Sequence, residues 1–266
     1  MKMFSNKELR SMIITLFFEQ LLVMLVGIVD TFVVSSCGEA AVSGVSLVNQ
    51  FNTIFIYLFT ALASGGAIVV SQYIGNKDKE RTILSSSQLL MFSIVFSIIL
   101  SILVLIFNKQ LLGLLFGKVE SDVMEACVTY LRISAYSYPA LAIYNAGAAL
   151  YRSMAKTKVT MYISFVANII NVVGNIIGVY VLKAGVAGVA YPSLISRVFS
   201  AIFITVLCFN KKWEAYYDSK DIFKFDRKML KRILNIAIPN GIENGIFQLV
   251  KVALSSIVAM FGTYQI

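Results

Sequence analysis

Two kinds of side chain in this sequence stand where their chemistry is costly. Asp30, Glu19 and Glu243 are carboxylates inside long apolar stretches, and Asn168, Asn171 and Asn175 are amides inside another. A charge in hydrocarbon costs about 2.5–3.5 kcal/mol on insertion scales unless it is neutralised, hydrated or paired, so such residues are candidates for function. Glu19 precedes Asp30 by eleven residues. Eleven helical steps of about 100° bring a side chain back to nearly the same face, so the two acids share one stripe that must look into a helical bundle. The three asparagines follow an i, i+3, i+7 pattern, again a single face. Asp30 lies about 10 Å in from the outer end of its span, counting about 1.5 Å per residue. Asn175 should reach the same depth, so a polar pocket is expected in the outer half of the bundle. A lone carboxylate there can exchange a proton, whereas sodium asks for several oxygen ligands, some of which the amides could supply.

The elements that must hold these groups are membrane helices. Hydrophobic residues make up 58% of the 266 and charged residues 14%, which is too apolar for a water-soluble domain. A helix crossing a bilayer needs about 20 consecutive apolar residues, because hydrocarbon offers the backbone no hydrogen bonds. Such runs predict seven spans, near Met12–Ser36, Val45–Ile74, Ser85–Phe107, Cys127–Tyr151, Val159–Leu182, Val189–Phe209 and Ile233–Met260. The first is too long for a signal peptide and carries two acids. Pro139 predicts a kink in the fourth.

Lys and Arg concentrate in alternate connections. They cluster at the amino terminus (Lys2, Lys7, Arg10), in the second–third loop (Lys77, Lys79, Arg81), in the fourth–fifth loop (Arg152, Lys156, Lys158) and between spans six and seven from Lys211 to Arg232. The other loops hold only Lys109, Lys118 and Lys183. Basic loops stay on the cytoplasmic side, so the amino terminus is expected inside a plasma membrane and, with seven spans, the carboxyl end outside. That orientation argues against a seven-helix receptor. The net charge of +9 thus reads as a topology signal and not as a nucleic-acid surface. Cys37, Cys127 and Cys208 lack metal-ligand or paired spacing, and histidine is absent. No metal, cofactor or catalytic set is expected, and no glycine-rich phosphate loop suggests ATP use.

The chain also repeats itself at an offset of 224 residues. Lys7 falls on Lys231, Ile14 on Ile238, Glu19 on Glu243, Leu25 on Leu249, Val26 on Val250, Val34 on Val258 and Gly38 on Gly262. Transporters are commonly built from such repeats. The expectation is a six-helix lobe over residues 1–210, a cytoplasmic connector over 211–232, and over 233–266 the first helix of a second lobe left unfinished.

Several segments resemble the multidrug and toxic compound extrusion (MATE) transporters. They include Gly27-Ile28-Val29-Asp30-Thr31 running to Gly38-Glu39-Ala40-Ala41, the exit Val70-Ser71-Gln72-Tyr73-Ile74-Gly75-Asn76-Lys77-Asp78, then Tyr130-Leu131-Arg132-Ile133, Pro139, Asn171 and Gly185-Val186-Ala187-Gly188. The resemblance implies an all-α, two-lobed antiporter that exports amphipathic, often cationic drugs in exchange for protons or sodium ions. Asp30 and Asn171 match its ion site, while Asn175 stands where many relatives carry an aspartate. Pro239 and Glu243 match its seventh helix, with Phe247 where one branch has an acid. Glu19 and Glu243 are secondary candidates that could equally pair with basic residues, and the resemblance points to no particular substrate path. A lipid-linked oligosaccharide flippase of the same superfamily would need a strongly basic central cavity, for which only Arg132 and Arg197 are at hand. A half-transporter that moves nothing alone is the other alternative.

Overall fold

The computed structural model describes residues 6–116 and 119–260, and every regular element among them is helical. Lys2, Lys118 and Gly262, on which the orientation and the repeat drew, lie outside the described residues, as do the side chains of Lys7, Leu249, Lys251 and Val258. In chain order the helices are α1 (Asn6–Ser35), α2 (Glu39–Gly75), α3 (Lys79–Phe116), α4 (Ser121–Tyr136), α5 (Tyr138–Ser153), α6 (Thr157–Ile176), α7 (Ala187–Cys208), the short α8 (Ser219–Ile222) and α9 (Arg227–Met260). A π-helical turn, Ile177–Val181, continues α6. Five of these, α1 from Arg10, α2, α3, α6 with its π turn, and α7, are long and apolar enough to cross a membrane.

The fourth apolar region is two helices of 16 residues that meet at a kink. Its break lies at Ser137, and Pro139 occupies the first turn of α5. The cause is local. Proline has no amide hydrogen and its ring crowds the carbonyl four residues back, which here belongs to Ala135. That carbonyl accepts the Ser101 hydroxyl of α3 at 2.7 Å instead. Ser137 keeps helical backbone angles, so the break is a kink and not a loop.

Tight turns set the helix directions. Gly38, at φ 100°, joins α1 to α2 in a backbone conformation that L side chains rarely adopt. After α2 the chain turns through Lys77 at φ 56°, and the Asp78 amide returns to the Tyr73 carbonyl at 3.0 Å. The Asp78 side chain then accepts the Arg81 amide at 3.1 Å, starting α3. The α5–α6 turn repeats the device, with Ala155 at φ 59° and the Lys156 amide donating to the Tyr151 carbonyl at 2.9 Å.

Between lipid-facing helices there is little hydrophobic drive, so close approach of small residues matters more. α3 accordingly buries Ser85, Ser86, Ser87, Ser93, Ser97 and Ser101. Gly178 and Gly188 lie backbone to backbone where the π turn meets α7. Tyr138 stacks on Phe55 and gives its hydroxyl to the Asn52 side chain at 2.7 Å, tying α5 to α2. The segment after α7 is docked by α3. The wholly buried Gln88 donates to the carbonyls of Asp221 and Lys224 and accepts the Asp226 amide, while the Ser87 hydroxyl accepts the Asp218 amide at 3.0 Å. α9 begins at Arg227 and buries Ile233 and Ala237 against Leu62, Val69 and Leu89.

Candidate ion-coupling site

α1 and α6 lie side by side, and Asp30 meets α6 five residues before the end of its own helix, nearer that end than the apolar run alone implies. The amide nitrogen of Asn175 donates to its carboxylate at 2.5 Å. The same nitrogen lies 3.2 Å from the Asn171 side-chain oxygen, and the Asn171 amide donates to the Ser193 hydroxyl of α7 at 2.9 Å. Ser193 in turn donates to the Val189 carbonyl at 3.1 Å. Asn175 is wholly buried and Asn171 nearly so. A string of amides and hydroxyls from three helix positions therefore ends on one carboxylate.

One helical turn beyond Ser193, on the same face of α7, is Arg197. Sequence alone assigns it to the membrane interface or to a carboxylate, reached by snorkelling. It turns into the bundle and not to the interface, donating to the Ser137 hydroxyl at 2.6 Å at the α4–α5 kink. There its charge acts on the Asp30 carboxylate, and both charges act on Tyr130 of α4. The kink that Pro139 imposes is thus what offers Arg197 its hydroxyl.

Glu19 belongs to a second cluster, about halfway back along α1. Its carboxylate lies 3.4 Å from Arg152 of α5 and 3.4 Å from each of the hydroxyls of Thr160 and Ser164 on α6. The Tyr144 hydroxyl closes the cluster, 2.8 Å from that of Ser164. Arg152 had counted only toward the distribution of charge. The signal that could have paired it is that Glu19 lies near the start of one predicted span and Arg152 just past the end of an antiparallel one, on the side of the basic loops. Asn168, half-buried, lies between the two clusters on α6, and its amide nitrogen is shut away from solvent with no hydrogen-bond partner among the described residues. Glu243 is exposed on α9 and joins neither cluster.

Residues 15–177 match the MatE family model, which is more than half of the chain. The chain belongs to the MatE family. Its helices make it a multi-pass membrane protein. Among curated MatE relatives, it is 26% identical to "Uncharacterized transporter YisQ" of Bacillus subtilis over 251 residues, covering 93% of this chain and 54% of that protein. It is 24% identical to "Probable multidrug resistance protein NorM" of Thermotoga maritima over 263 residues, covering 97% and 55%. The chain spans about half the length of the curated relatives it matches. Its fold is that of solved MATE transporters. A MATE structure described as the bent conformation superposes with a TM-score of 0.88 at 22% identity, covering 97% of this chain and 57% of that one. An outward-facing multidrug resistance MATE transporter gives 0.86 at 23% identity, covering 92% and 54%.

Proposed function

We propose that this chain is the amino-terminal lobe, with its connector and the first helix of a repeat-related second lobe, of an antiporter that exports amphipathic, often cationic organic compounds in exchange for protons. Residues 1–210, 211–232 and 233–266 are the three parts. The amino terminus is cytoplasmic, and the protein works in the plasma membrane. The reading is carried by one observation, a membrane carboxylate, Asp30, held by the buried amide of Asn175. A group that is charged in one protonation state and neutral in the other changes how much its surroundings favour each packing of the lobes. Binding of an external proton at Asp30 biases the two lobes toward one opening, and its loss resets them.

Protons fit this site better than sodium. Sodium needs several oxygen ligands, whereas the amide nitrogen of Asn175 points at Asp30 and the Arg197 charge already acts on it. The name of a relative, a probable multidrug resistance protein, supports drug-like cargo. Asp30→Asn in the two-lobed protein abolishes drug efflux driven by an acid-outside gradient while leaving membrane insertion intact. Unchanged efflux, or efflux that follows sodium and ignores a protonophore, refutes the proton reading.

A further inference from the structure

The polar face of α6 does not end at the Asp30 cluster. Thr160, Ser164, Asn168, Asn171 and Asn175 recur every three or four residues, which makes one continuous stripe. Each end of that stripe touches a carboxylate of α1. The Ser164–Glu19 and Asn175–Asp30 contacts have the same sequence separation, 145 residues, so the two helices run parallel and in register between them. The stretch is about 16 Å long at about 1.5 Å per residue. Midway along it the Asn168 amide nitrogen has no partner among the described residues, and at its end the side-chain oxygen of wholly buried Asn175 has none among them either. Buried amide groups are ordinarily satisfied by protein or by ordered water, and here the described residues satisfy neither.

The groups around the two acids define the ends of a route. Glu19 is faced by Arg152 and Tyr144 from α5 and by Thr160 and Ser164 from α6. Asp30 is held by Asn175 from α6 and interacts electrostatically with Arg197 from α7 and Tyr130 from α4. Arg152 lies in the last turn of α5 with its side chain 36% exposed, so the Glu19 end opens toward the α5–α6 turn.

We propose that this stripe is a water-filled file that joins Asp30 to Glu19 and carries the coupling proton through the first lobe. It rests on Asp30 being the coupling site. The O–H bond of the protonated Asp30 breaks, the proton passes along water held by Asn168 and Ser164, and an O–H bond forms on the Glu19 carboxylate. Asp30 is left ionised against the Asn175 amide. Glu19, neutral, lets go of Arg152, and it takes Arg152 back when its proton leaves to water at the α5–α6 turn.

Two measurements test this. In the chain reconstituted in liposomes, with Cys37, Cys127 and Cys208 replaced, Ser164→Cys and Asn168→Cys are treated with a cationic, membrane-impermeant methanethiosulfonate. Both react at least about ten-fold faster than Ile169→Cys and Val173→Cys on the outward face, because a thiol in apolar surroundings rarely ionises. Equal, slow rates overturn the file. In the two-lobed protein, Asn168→Leu lowers proton-driven efflux about ten-fold without weakening drug binding, and Asn168→Ser, which leaves room for water, recovers most of it. Full efflux in Asn168→Leu overturns the file even where Asp30→Asn is inactive. Efflux that survives Asp30→Asn removes the coupling reading, and the route with it, whatever the thiol rates.

Discussion

Asp30 and Asn175 illustrate how little a single polar residue decides alone. An amide on α6 has meaning only because a carboxylate arrives opposite it, and the carboxylate is tolerable only because donors surround it. Ser193 is the outermost support of that string. Ser193→Ala leaves the Asn171 amide without its acceptor and is expected to lower stability by about 0.6–1.7 kcal/mol, the span measured for interhelical hydrogen bonds in bilayers. Thermal unfolding of the chain in detergent measures it, and no change would mean that water replaces the hydroxyl. Arg152→Ala is expected to cost more than Glu19→Ala, because it leaves an unpaired carboxylate in a cluster only 11% exposed at Glu19. The reverse order would show that Glu19 stays neutral in the folded chain.

Helices place these residues, and their irregularities matter as much as their regular parts. The kink at Ser137 frees the Ala135 carbonyl for Ser101 and supplies the hydroxyl that holds Arg197. Ser101→Ala should therefore destabilise by about 1 kcal/mol in the native chain and by much less in Pro139→Ala, where an amide at position 139 can serve the same carbonyl. A double-mutant cycle that is strictly additive would refute the compensation. Where the π turn meets α7, Gly178 and Gly188 touch through their backbones, and any Cβ there collides with main chain rather than with a side chain that can move. Gly178→Ala is expected to cost at least about 2 kcal/mol, or to prevent folding, which loss of the purified monomer in detergent would register.

At the scale of the whole molecule, Gln88 acts as a clamp. One side chain of α3 holds three backbone groups of the connector, and so sets where α9 starts. Gln88→Ala should raise amide hydrogen exchange over residues 218–226 while leaving α1–α7 unchanged, whereas unchanged exchange would transfer the anchoring to Ile233 and Ala237. Much of the architecture was legible beforehand, since the need to satisfy every backbone group inside lipid turns each long apolar run into a helix. Glu19, Asp30 and the asparagine face were legible too, because a helix repeats every 3.6 residues and the pattern is written locally. The break in the fourth region was half legible, as Pro139 announced a kink but not the serine that mends it. What periodicity could not supply was register between segments remote in sequence. That α1 lies parallel to α6 at a constant offset, that Arg197 turns inward to Ser137, and that Arg152 meets Glu19 all depend on how particular helices pack against one another. A helix knows its own faces from its sequence. Which neighbour each face meets, and at what height, is decided only when the whole bundle packs.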